Sequence, residues 1–156
     1  MRAVGGDGFG ALERVDRTRV TVAVGPLVGP VLSRVVGIHA ARASLPVDRL
    51  NDAVLVADAI AARAPAFTVA DRLPVSVQSG SGRLEIRVGP LRPGGGRRVI
   101  EGAALPGMGS VIERLADAVR VREGAGGDEY LVIRIDLEPE ANAPSAQTAD
   151  ASENPS

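Results

Sequence analysis

The chain has 156 residues, 45% of them hydrophobic and 24% charged, with 18 basic against 19 acidic side chains. That is the composition of one globular domain, and it excludes bulk disorder. All 18 basic residues are arginine, His39 is the one histidine, and cysteine is absent. Schiff-base chemistry, a P-loop lysine, thiol catalysis, disulfides and Cys/His zinc sites therefore have no raw material.

Residues 1–16 are Gly-rich and read as a loose lead-in. Residues 19–24 alternate at period two and stop at Gly25-Pro26, as a half-buried strand does. Residues 27–43 carry a helical stripe at Val28, Val31, Leu32, Val35 and Ile38, with Pro30 placed in the first turn. Ser44 stands as an N-cap for a second helix, which continues through Pro46 with Val47, Leu50, Val54, Ala57 and Ala61 on one face and ends near Pro65. Residues 74–78 and 84–88 form an antiparallel hairpin across the Ser/Gly connection 79–83. The stretch 89–98 is too rich in Gly and Pro for a regular element and reads as a mobile loop. Ser110 and Glu113 have capping-box spacing at the start of a short helix. Strands near 119–122 and 130–137 flank the glycines at 124–127. Residues 139–156 have no large apolar group and no basic residue, and read as a disordered acidic tail. The folded unit is then 17–138. Clustered helices and an excess of strands predict an α+β fold, a mostly antiparallel sheet with helices on one face.

The order β-α-α-β-β-loop-α-β-β carries Leu55-Val56-Ala57-Asp58-Ala59-Ile60-Ala61-Ala62 in its second helix. Leu105-Pro106-Gly107-Met108-Gly109-Ser110 leads into the helix that holds Leu115-Ala116-Asp117. Over about residues 17–137 this arrangement resembles the histidine-kinase-like (GHKL) ATPase domain, and within it the bacterial anti-sigma factor serine kinases. The resemblance implies a Bergerat-like two-layer α/β sandwich. In that family a helical Glu acts as general base, and an Asn four residues later, on the same helix face, holds Mg²⁺. Those positions fall on Asp58, which keeps the charge on a shorter arm, and on Ala62, which offers a hard cation no oxygen. The family's adenine-binding Asp-x-Gly-x-Gly loop falls on 90–94, where Pro90 has no side-chain acceptor, Arg92 replaces the first Gly and Gly94 remains. A buried adenine amino group left unpaired costs about 1–3 kcal/mol. The last glycine box falls on Gly107 and Gly109, ahead of a helix start at Ser110 whose N–H groups suit a phosphate. The same glycines also read simply as turn formers.

The resemblance thus implies a regulator that docks to a sigma factor, to an anti-anti-sigma (STAS) protein or to a second copy of itself, with ATP bound weakly and Mg²⁺ lacking its ligand. The alternative is an ATP-dependent serine kinase working from Asp58. The candidate residues are Asp58 as the degenerate base and Arg92, Gly94, Gly107, Gly109 and Ser110 around the nucleotide, with Arg97 and Arg98 able to close over it; no residue is assigned to a metal. Nucleic acid is not an expected partner, since the aromatics are only Phe9, Phe67 and Tyr130 and the charge is balanced. Nor is a membrane, because no apolar run approaches the ~18 residues of a span. The N-terminus lacks a secretory pattern, so a cytoplasmic location is expected. His39 has no second His or Cys to share a metal with, and Tyr130 reads as a cross-strand packing residue.

Overall fold

The computed structural model describes residues 15–138. The lead-in up to residue 14 and the tail 139–156 lie outside the described residues. Within them the chain runs β1 (Asp16–Ala23), α1 (Val28–Arg42), α2 (Val47–Arg63), β2 (Arg72–Gly80), β3 (Arg83–Leu91), α3 (Gly95–Gly102), β4 (Ala104–Leu105), β5 (Gly109–Ser110), α4 (Val111–Leu115), β6 (Ala118–Glu123) and β7 (Glu129–Asp136). The five long strands form one antiparallel sheet in the order β1-β2-β3-β7-β6, and β4 pairs only with β5. The fold is α+β, a two-layer arrangement of antiparallel sheet and helices.

Period-two burial shows which sheet face the helices cover. Leu73, Val75 and Val77 on β2, Leu84, Ile86 and Val88 on β3, and Leu131, Ile133 and Ile135 on β7 are all buried. They pack with Val28, Leu32 and Val36 of α1 and with Val56, Ala57 and Ile60 of α2 into one core. Each fully buried side chain of this size stabilises the fold by about 1.5–3 kcal/mol, so this layer dominates the energetics. The helix stripes differ from the sequence expectation by a rotation. Ile38 and Val47 face solvent, at 45% and 73% exposure. The buried residues of α1 are Val28, Leu32, Val36, His39 and Ala40, spaced by the three- and four-residue steps that keep to one helix face, with Val31 and Val35 partly buried against the same core.

Two polar devices lock the layers. The buried ring of His39 on α1 lies 2.7 Å from Ser79 Oγ on β2 through Nδ1 and 2.7 Å from Thr18 Oγ1 on β1 through Nε2. Arg49, at the start of α2, is mostly buried. Its guanidinium donates to the Asp136 carbonyl (3.1 Å), the Leu115 carbonyl (3.2 Å) and Asp52 (3.0 Å), and pairs with Asp117. Asp117 also accepts from the Asp136 backbone N–H at 2.7 Å. One side chain thus ties α2 to the end of α4 and to β7.

Three local expectations are corrected. Ser44 does not cap α2, whose N-cap position is Pro46 with no side-chain bond. Ser44 has φ 58° and ends α1: its N–H donates to the Ala41 carbonyl and that of Leu45 to the Ala40 carbonyl, the paired bonds of a Schellman turn. The hairpin connection is shorter than 79–83. Gly80 pairs with Arg83 across Ser81 and Gly82, both at positive φ, and the strands lengthen accordingly. The stretch 89–98 is not a loop throughout, since β3 runs to Leu91 and α3 begins at Gly95.

Candidate functional site

Gly95 and Gly96 are there for close approach. A Cβ on Gly95 would meet Phe67 Cβ at 3.0 Å and Leu91 Cβ at 3.2 Å, and one on Gly96 would meet Val121 Cγ1 at 2.9 Å. Gly94, at φ 79°, takes the left-handed N-cap position that suits glycine. With the backbone so close to β7, the Glu129 carboxylate spans the helix start. Gly94 N–H donates to Oε1 and Gly96 N–H to Oε2, each at 2.9 Å. The donors of this helix N-terminus, the groups that would attract a phosphate, are held by the protein's own anion.

Below α3 lies a cavity of about 650 Å³ between α3, the β4–β5 hairpin, α4 and β6–β7. Its lining brings Gly94 and Ser110 together with Arg97, Glu101, Glu113 and Glu129. Three carboxylates face one guanidinium, and that guanidinium is paired with Glu101 at 3.1 Å. Such a wall repels a polyphosphate unless a cation intervenes. Among the described residues no group of three His, Cys, Asp or Glu side chains is placed to hold a metal ion.

The remaining sequence candidates are dispersed. Gly107 (φ 73°) is the corner of the β4–β5 turn, where Met108 N–H donates to the Leu105 carbonyl at 3.0 Å and Pro106 sets the preceding residue, as in a type II turn. Gly107 and Gly109 have open space where a methyl group would stand, so conformation and not crowding calls for glycine there. Ser110 precedes α4 but makes no cap bond; its Oγ is buried without a partner among the described residues. The capping box with Glu113 does not form, and α4 is only five residues long. Asp58 is exposed and accepts a hydrogen bond from Ser33 Oγ on α1, so it is engaged across the α1–α2 pair and is not part of the cavity lining. Arg92, Arg97 and Arg98 do not converge. The Arg92 backbone N–H donates to the Phe67 carbonyl at 2.7 Å while its side chain is exposed, Arg97 binds Glu101, and Arg98 lies 6.0 Å above the Phe67 ring.

Glu129 was missed by sequence reasoning. The available signal was an acid opposite a Gly-Gly-Gly run, and Asp128 beside it made even that ambiguous until β7 is paired beside Leu91, as the register Leu91–Glu129 shows. His39 is perturbed for structural reasons. Burial lowers its pKa from the ordinary 6.5, the Arg42 charge adds to that, and Asp16 opposes it. The neutral ring donates from one nitrogen and accepts at the other, and two hydroxyls satisfy both roles. Among the described residues, no helix is long and apolar enough to cross a membrane. Compared with known proteins, the chain matches no family model and no curated sequence.

Proposed function

We propose that the protein is a cytoplasmic regulator of the histidine-kinase-like ATPase architecture, nearest to the anti-sigma factor serine kinases, which works by binding a protein partner and does not turn over ATP. The observation that carries this reading is the Glu129 carboxylate seated on the N–H groups of Gly94 and Gly96. It puts a fixed negative charge at the glycine that the resemblance assigns to the nucleotide loop. Phosphoryl transfer depends on positive groups and metal ions that neutralise the developing charge. Here the cavity is acidic, Ala62 has no ligand atom, and Asp58 is turned to Ser33. The partner is a sigma factor, an anti-anti-sigma (STAS) protein or a second copy.

Calorimetric titration with Mg-ATP and transfer of labelled phosphate to a STAS substrate test the reading. No transfer is expected, and any nucleotide affinity should be weaker than about millimolar. The change Glu129→Gln, which removes the anion from the Gly94 and Gly96 N–H groups, should strengthen Mg-ATP binding. Steady turnover by the native protein would sink the proposal and favour the kinase.

A further inference from the structure

The sheet face turned away from the helices carries charge of mostly one sign. The pairing register lines up Arg19, Ser76, Arg87, Val132 and Arg120 in one row across all five strands. The next row runs Arg17, Gln78, Glu85, Arg134 and Ala118. Among the described residues, with Arg72, Arg83 and Arg122, the face holds eight arginines against two carboxylates, Glu85 and Asp136. Asp136 is already bound by Arg83 at 3.0 Å and by Arg134 at 3.2 Å. Among the described residues, the side chains of Arg19, Arg72, Arg120 and Arg122 are exposed and make no hydrogen bond or ion pair. The chain as a whole has a net charge of −1, so this is a segregation of charge and not a basic protein.

We infer that this face docks an acidic α-helix of a partner protein, laid across the strands with carboxylates on Arg19, Arg87 and Arg120; the inference rests on the regulator reading above and names the chemistry of its partner. Arginines two strands apart in a row are separated by about 9.6 Å, from a strand spacing of ~4.8 Å. Positions i and i+7 of a helix lie on one face about 10.5 Å apart, which matches. An extended segment reaches that distance only at i+3, where the side chain points to the opposite side. A groove of about 430 Å³ over Pro74 and Ser76, flanked by Arg17, Arg19 and Arg87, gives the helix a bed. Nucleic acid fits less well: among the described residues, Tyr130 is the one aromatic ring on the face, and the Arg87 guanidinium lies 4.2 Å from its centroid, so the strands offer no bare ring to bases. A second copy meeting face to face would set arginine against arginine.

The test uses a fluorescein-labelled, Ala-rich helical peptide with Glu at heptad positions, a scrambled peptide of the same composition, and a short thymidine oligonucleotide, at low and physiological salt. The striped peptide should bind about tenfold or more tightly than the scrambled one, a difference of ~1.4 kcal/mol, and weaken with salt. Arg19→Gln with Arg120→Gln should abolish that preference, whereas Arg34→Gln with Arg92→Gln, the same charge change off the face, should keep it; circular dichroism verifies that both variants fold. Equal binding of the two peptides, indifference to the Arg19 and Arg120 changes, or tighter binding of the oligonucleotide through these arginines would each overturn the inference. ATP turnover would remove the regulator reading alone, since the peptide comparison does not depend on it.

Discussion

Arg49 and Ser44 sit close in sequence and illustrate opposite kinds of constraint. Arg49 makes a planar fork whose donors meet two backbone carbonyls and two carboxylates at 14% side-chain exposure. Removing it leaves Asp117 buried without its countercharge, and breaking a mostly buried pair in this way costs about 3–5 kcal/mol. Arg49→Met is expected to lower the unfolding free energy by that amount in guanidinium titrations, and Arg49→Lys to recover little, since one ammonium cannot span the fork. A loss under about 1 kcal/mol would show the network to be incidental. Ser44 instead carries strain, a β-carbon at φ 58° in the terminating turn of α1. Ser44→Gly should therefore raise stability by about 0.5–1 kcal/mol, read as a shift of the urea midpoint without a change of slope. The sequence pattern Ser-x-Pro could not separate a C-terminal turn from an N-cap, because the deciding bonds run backwards to Ala40 and Ala41 and both choices place Ser44 between two helices.

At the level of elements, strands and the two long helices were legible while α3 was not. The strands alternate cleanly because one sheet face is buried, so period two is written into β2, β3 and β7. The glycines at 94–96 looked permissive, yet two of them are demanded by contacts at 3.0 Å or less from residues distant in sequence, Phe67 and Val121. Crowding of that origin leaves no local trace. The Glu129 clasp makes a checkable claim about this element. Glu129→Ala should destabilise the protein by about 1–2 kcal/mol through loss of a charged helix cap, with faster amide exchange at Gly94 and Gly96. Unchanged exchange there would mean that α3 holds itself. The scattered candidate site has the same cause. Ser110 does stand at the N-cap position of α4, but Gly107 belongs to the turn between β4 and β5 and Gly109 to β5, and these two-residue strands are too short to have a period.

Across the whole molecule, the α+β architecture followed from element order alone, whereas the pinning of helix layer to sheet by His39 did not. Its pKa is lowered in the folded state, so the unfolded chain takes up the proton first. Stability is then complete above the ordinary value of 6.5 and falls as pH drops below it, until the folded ring also titrates. Midpoints of chemical denaturation between neutral and mildly acidic pH should show this decline, and His39→Gln should flatten it over the same window. A native protein whose stability held or rose on acidification would contradict the assignment. The ring of Tyr130 has a different reach. The chain contains one tyrosine and no tryptophan. Gly89 and Gly124 leave just enough room for that ring, for a methyl on either would come within 3.0 Å of it. Tyrosine emission from the protein therefore originates from one place, beside Arg87 on the open sheet. The molecule carries its own optical probe, and an unlabelled titration reads events on that side of the sheet without background from the rest of the fold.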